Sequence, residues 1–476
     1  MPYFRRHMSG IPRKLPYAAV AGPLVLALTL GACAPGDPYG APQFPFLSRY
    51  NAVEAAAPVL LSNTEWWRGF RDAQLDQLMA MALVQNLSIA AARERVIAAR
   101  AASRSVADPL ALNTTVQSRL ADDGTTTQTQ SAGELGLSWM LDPFGQRLAQ
   151  QRAAWARIDA ADAQADGARL LVLFNLSNAY VDLRYLQRLL ELRRQEIGAR
   201  RKMLSQIRQM AEAGNATQLD MTRAQARLSD VEAQIPTLEA RIQGQINQIA
   251  VLTGHAPGQM ALDLTHGNGQ PVSAMSPDVG IPADLLRNRP DVRVAERLYY
   301  AAVAETGVAK AALYPRLSLS GAITLTALGN STSHNSFFGP VLSLPVFPGR
   351  AARGRVDQAE SEARVAHTAW KATVLDAVLE VENALLAYEA SRRAGVSAAR
   401  SLTLYRQARG MVEALVDSGD GTIDDLLDAD QALTASANTL AEAARQRGLD
   451  FIALNVRLGS GSRTGAQTAD ADPDNN

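Results

Sequence analysis

Apolar positions along the chain change their period in a set order, and the order recurs. From Leu75 to Val106 they return at steps of three and four, the spacing of one helix face. After Pro109 the period drops to two. Leu110, Leu112, Thr114 and Val116 alternate with polar residues, and so do Leu135, Leu137, Trp139 and Leu141 beyond a polar loop from Asp122 to Gln128. From Gly145 to Ala213 there is no proline, and Leu173, Leu176, Tyr180, Leu183, Leu186 and Leu190 form one stripe. That stretch predicts a helix on the order of 100 Å long. The second half does the same: Leu317, Leu319, Ile323 and Leu325 alternate, a polar loop follows from Gly329 to Ser336, and a return strand is expected from Gly339 to Phe347. A second long stripe then carries Trp370, Val374, Val378, Val381, Leu385 and Tyr388.

Landmarks align the halves. Pro109 and Pro315, Gly145 and Gly349, and Gly214 and Gly419 are separated by 206, 204 and 205 residues. One unit is therefore used twice, over residues 63–258 and 282–458, with a linker at 259–281. Each long helix ends in Gly-x-x-Thr-x-x-Asp, at Gly214, Thr217 and Asp220 and again at Gly419, Thr422 and Asp425. Glycine suits the left-handed helix stop, threonine the next N-cap and aspartate the third position of a capping box. Trp66, Trp67 and Phe70 are expected to pack at a helix start, and residues 459–476 form a low-complexity, disordered tail.

Hydrophobic residues make up 47% of the 476 residues but aromatics only 5%, a balance that favours long packed helices over an aromatic globular core. Residues 1–32 are a signal peptide: Arg5 to Lys14 precede an apolar run, Ala18 to Leu30, too short to span a bilayer. The run ends at Leu-Gly-Ala-Cys33, which carries the only cysteine of the chain. The pattern is similar to a bacterial lipoprotein signal, which implies a diacylglycerol on Cys33 and, with Ala34 next, outer-membrane sorting; a buried cysteine in a signal cut elsewhere is the alternative. Residues 33–62, with five prolines, read as an extended acylated tether. Without Arg5, Arg6, Arg13 and Lys14 the chain keeps 43 basic against 47 acidic residues and has no basic run, a poor composition for nucleic acid. Five scattered histidines give no metal-ligand spacing, and no nucleophile has its base nearby, so neither catalysis, a metal nor a cofactor other than the lipid is expected.

Four strands cannot close a barrel. An open edge in lipid leaves backbone groups unpaired at several kcal/mol each, so closure needs several chains, and three would supply twelve strands. Soluble hairpins capping a helical body are the other reading of the pattern.

Several motifs carry a family resemblance: Trp66-Trp67-x-x-Phe70, Asp142-Pro143-Phe144-Gly145-Gln146-Arg147, Ile281 to Val292 with its Arg289-Pro290-Asp291, Tyr314-Pro315-Arg316-Leu317, and Leu344-Pro345-Val346-Phe347. Over residues 63–458 the chain resembles the TolC-like outer-membrane factors, acylated branch, of multidrug efflux pumps. The resemblance implies a mainly α fold with a β-barrel part: a homotrimer whose twelve-stranded transmembrane barrel continues into a long α-helical barrel. It implies a passive exit duct served by a periplasmic adaptor protein and an inner-membrane transporter. Asp425 and Asp428 match the acidic rings of the periplasmic aperture, with Asp220 a weaker candidate that also reads as a plain capping residue. Gly214, Thr217, Gly419 and Thr422 mark the tips where an adaptor would dock. The family's latching arginine is missing, because Gly421 occupies its place. The same duct serving type I secretion or metal efflux, and a structural periplasmic coiled-coil lipoprotein, are the alternatives.

Overall fold

A computed structural model describes residues 40–51, 65–107, 109–122, 127–214, 216–265, 269–273, 282–328, 331–343 and 349–462. Cys33, the signal peptide, residues 34–39 and 52–62 of the tether, Leu344 to Phe347 and residues 463–476 lie outside them. The elements are α1 (Ala73–Gln85), α2 (Leu87–Ala107), β1 (Leu110–Asp122), β2 (Thr127–Leu141), α3 (Gln146–Glu212), α4 (Gln218–Glu232), α5 (Ile235–Leu252), α6 (Pro290–Ala311), β3 (Arg316–Leu328), β4 (Ser331–Ser343), α7 (Arg350–Ser418) and α8 (Ile423–Arg457). Contacts group them into two units that each draw on both repeats. One holds 101–156 and 300–365, with the sheet; the other holds 42–100, 157–299 and the chain from 366 onward.

Two helices that apolar spacing presents as continuous are broken. Asn86 is extended (φ −66°, ψ 128°), and its Oδ1 accepts from the backbone N–H of Ser88 and Ile89 at 2.8 and 3.2 Å. It thus caps α2 while its Nδ2 donates to the Leu252 carbonyl at 2.8 Å, a contact 166 residues away that no local pattern announces. The second break, at Ala233 and Gln234, precedes Pro236, which has no N–H for the carbonyl four residues back.

The long stripes become the cores of the second unit. Leu173, Leu176, Tyr180 and Leu183 of α3 are fully buried against Trp66, Trp67, Phe70, Leu75, Leu78 and Phe451. Burial of each such leucine contributes about 2 kcal/mol. Trp66, Trp67 and Phe70 are packing residues, as their spacing suggests. Trp370, Val374 and Val381 of α7 form another core with Leu285, Val292 and Leu454. Phe44, Phe46 and Tyr50 join it, so this part of the tether is docked through its aromatics, which the proline count alone did not show.

Arg289 lies 8% exposed beside this second core. Its guanidinium pairs with Asp291 at 2.5 Å and Glu380 at 2.8 Å and donates to the Arg457 carbonyl at 3.1 Å, and Glu380 also pairs with Arg457. Burial pushes the Asp291 and Glu380 carboxyls up, but the arginines outweigh it and hold both below their ordinary range. Residues 459–462, expected as the start of a disordered tail, instead form a buried hook. Gly459 (φ +82°) and Gly461 (φ +102°) permit it, a Cβ on Gly459 would lie 2.4 Å from the Asn288 carbonyl oxygen, and Ser462 Oγ donates to that oxygen at 3.2 Å.

In the first unit the four strands form one antiparallel sheet, in the order β1-β2-β3-β4. The hairpins of the two repeats pair through β2 and β3, from Gln130 opposite Leu328 to Leu141 opposite Leu317. The strands are longer than the alternation suggested. β1 runs to Asp122, and β4 begins at Ser331 inside the expected polar loop, because both faces of that end are exposed and the backbone ladder tolerates Ser and Thr there.

Candidate functional site

Register assigns every strand residue to one of two faces. Leu110, Leu112, Val116 and Leu120 of β1 share a face with Leu135, Leu137 and Trp139 of β2, Leu317, Leu319, Ile323 and Leu325 of β3, and Phe338, Pro340 and Leu342 of β4. Most of these are exposed, Val116 at 81% and Ile323 at 53%. A continuous apolar face of this extent facing outward fits hydrocarbon rather than water. Close packing is built in: a Cβ on Gly321 would lie 2.8 Å from the ring of Phe338, its cross-strand partner. The opposite face carries Asn113, Thr115, Gln117 and Arg119, then Gln130, Ala132, Glu134, Gly136 and Ser138, then Ser318, Ser320, Ala322, Thr324 and Thr326. Arg119 Nε donates to Gln130 Oε1 at 2.9 Å across the strands. β1 and β4 each have one edge that pairs with no described strand.

The chain leaves the sheet through Asp142-Pro143-Phe144-Gly145. Gly145 takes φ +72°, and Asp142 Oδ2 accepts from the backbone N–H of Arg147 and Leu148 at 2.9 and 3.1 Å, capping α3. Phe144 stacks on Tyr314, which precedes β3, with ring centroids 4.9 Å apart.

In the other unit, the two Gly-x-x-Thr-x-x-Asp turns have matching geometry. Gly214 and Gly419 both take φ +82°. Thr217 and Thr422 cap the next helices, each receiving the N–H of Asp220 or Asp425 at 3.2 Å. The carboxylates return the bond: Asp220 accepts from Thr217 N and Oγ1 at 2.9 and 2.6 Å, and Asp425 from Thr422 N and Oγ1 at 3.0 and 2.5 Å. Those hydrogen bonds, from the hydroxyl first and the amide second, hold both carboxyls below the usual range, so both are charged at neutral pH. The turns are neighbours, since Met203, Leu204 and Ile207 of α3 bury a small core with Met221, Ile423, Leu426 and Leu427. Asp428 is exposed one turn beyond Asp425 on α8.

Gly421 is held close to the last turn of α7. Its N–H donates to the Leu415 carbonyl at 3.0 Å, and a Cβ there would meet Val416 N at 3.0 Å, so no arginine fits without moving the turn. Near this turn the hairpin is tied instead at Arg409 of α7, whose Nε pairs with Asp430 of α8 at 2.9 Å and which also pairs with Glu413. The motif pointed to Asp425 and Asp428 but not to this pair; an arginine and an aspartate 21 residues apart across a known turn were the available signal.

The profile of the family described as outer membrane efflux protein matches residues 78–255 and 281–460. The chain belongs to this family. Among curated proteins it is similar to nodulation protein T of Rhizobium leguminosarum bv. trifolii, 33% identical over 451 residues that cover 91% of this chain and 96% of that one. It is similar also to outer membrane protein OprJ of Pseudomonas aeruginosa, 29% identical over 455 residues covering 92% and 95%. Among solved structures it resembles the outer-membrane channel OprN, with a TM-score of 0.80 at 28% identity, over 90% of this chain and 99% of that one. The protein is therefore an outer-membrane channel component of an efflux system with a TolC-like fold.

Proposed function

We propose that three copies of this chain join their free strand edges into a twelve-stranded barrel and form a passive exit duct for small molecules. The observation that carries this is the sheet itself: one face apolar, and β1 and β4 with an edge that finds no described partner. In hydrocarbon such edges must be paired, and four strands per chain multiply to an even, closed number. A stripe on α7 supports assembly, since Leu375, Leu379, Leu386, Leu404, Met411 and Leu415 are 50 to 68% exposed on a helix about 100 Å long.

Cys33 carries the lipid, and the tether leads from it to the docked aromatics Phe44, Phe46 and Tyr50. An inner-membrane transporter supplies the energy, a periplasmic adaptor seats on the turns at Gly214, Thr217, Gly419 and Thr422, and no bond is made or broken in the cargo. Asp425 and Asp428 form acidic rings at the periplasmic aperture, where Asp425 stays charged because Thr422 holds it so; Asp220 serves its capping box. In planar bilayers the double variant Asp425→Ala, Asp428→Ala is expected to conduct more per channel and to need several-fold more multivalent cation for block than the parent. Unchanged conductance and block would remove the rings from the account.

A further inference from the structure

The sheet meets all its helices at one end. Register sets Leu110 opposite Trp139, Leu141 opposite Leu317 and Arg316 opposite Ser343; α2 and α6 precede these residues in the chain, and α3 and α7 follow them. This end carries aromatic residues of the kind that mark a membrane boundary: Trp139, 43% exposed on the apolar face, and Tyr314, 41% exposed and stacked on Phe144. Arginines come next. Arg104 lies in the last turn of α2, Arg152 in the second turn of α3, and Arg350, Arg353 and Arg355 in the first two turns of α7. All five are exposed, and none has an ion pair among the described residues. The segments nearest the sheet, 101–107, 142–156, 300–316 and 349–365, hold nine basic against five acidic residues, in a chain that is slightly acidic without its signal peptide. The connections at the opposite end, 122–127 and 328–331, hold two aspartates and no lysine or arginine.

An ion pair fixes the level of the α7 arginines. Lys310, in the last turn of α6, pairs with Glu360 of α7 at 3.3 Å. Because α6 enters the sheet and α7 leaves it at the same end, the α7 residues before Glu360 run past the end of α6 toward β3. Arg355 and Arg350 are therefore about 8 and 15 Å nearer the sheet than that pair, a span close to the roughly 5–8 Å of one headgroup layer. They leave the helix axis in different directions, since successive residues turn by roughly 100°, so a helix packed on one side leaves others free. We infer that Arg104, Arg152, Arg350, Arg353 and Arg355 form a basic collar that binds the phosphate groups of anionic phospholipids in the periplasmic leaflet. The collar rests on the reading of the sheet as transmembrane and adds a choice of lipid to it. An apolar face accepts any acyl chain, whereas guanidinium groups match phosphate oxygens in pairs and select headgroup charge. The collar also sets depth, because the sheet cannot slide outward without drawing arginines into hydrocarbon.

The test uses the full acylated chain in phosphatidylcholine vesicles at low salt. Phosphatidylcholine or phosphatidylglycerol brominated on its acyl chains is added, and quenching of tryptophan fluorescence reports which lipid lies against the protein, Trp139 being the tryptophan on the strand face. The parent is expected to prefer phosphatidylglycerol about fivefold, the effect of roughly one arginine at an anionic surface. That preference should vanish in about 0.5 M KCl, where charges are screened beyond about 4 Å. The triple variant Arg350→Gln, Arg353→Gln, Arg355→Gln should bring the ratio close to one. Arg400→Gln with Arg406→Gln, which removes two exposed arginines far down the same helix, should leave the ratio at the parental value. Should the triple variant fail to insert, Arg353→Gln alone gives the same reading in smaller measure. A parent ratio of one, or a preference that these α7 variants keep, overturns the collar and leaves the transmembrane sheet standing. An absence of quenching by brominated phosphatidylcholine in the parent overturns the transmembrane sheet, and the collar with it.

Discussion

Arginine at Ile323 is expected to destabilise the inserted protein by about 2–4 kcal/mol, while arginine at Thr324, the next residue of the same strand, is expected to be tolerated. Ile323 is the eighth of the 13 residues of β3, so it sits near the bilayer midplane, and register puts it on the face shared by Leu135, Leu112 and Val116. A guanidinium there must enter hydrocarbon or drag water after it. Thr324 points the other way and lies opposite Glu134, so an arginine would meet water and a carboxylate. Denaturant unfolding of both variants from lipid vesicles checks this. Equal stabilities would mean that both faces see water, and the transmembrane assignment of the sheet would fall.

Arg289→Ala should cost about 3 kcal/mol at neutral pH, the lower part of the range for breaking a buried ion pair, since Asp291 and Glu380 are partly solvated. The guanidinium is 10% exposed and satisfies two carboxylates and a carbonyl, and its removal leaves Asp291 without a described ion-pair partner. The pH dependence has a definite sign. Both carboxyls are held below their ordinary values of 3.8 and 4.5, so their contribution is fully present above those values and is lost as pH falls through the lower folded ones. The gap between parent and variant should therefore be widest at pH 7 and narrow below about pH 4. Unfolding of the detergent-solubilised proteins at pH 7 and pH 3 measures it. A gap that does not change with pH would assign the loss to packing of the arginine stem instead of its charge.

The repeat, the strand periodicity and the capped turns were legible because each is local. A residue's period, a glycine stop or a Thr-x-x-Asp box depends on neighbours within a few positions, and the geometry at Thr217 and Thr422 matches the reading from spacing. What was not legible depends on distant partners. Asn86 breaks a helix because Leu252 accepts its amide, Arg289 finds Glu380 and Arg457, and the 459–462 hook closes because Asn288 offers a carbonyl. The faces of Phe337 and Phe338 were not legible for another reason: two adjacent phenylalanines in an alternating strand must face opposite sides, and only the register to Ala322 and Gly321 says which is which.

The account depends most on free strand edges being closed by sister chains. The direct measurement is the mass of the full-length protein purified in mild detergent, by light scattering with the detergent contribution subtracted. Three chains per particle, falling to one on heating, is the predicted result; a particle that holds a single chain before heating would contradict it.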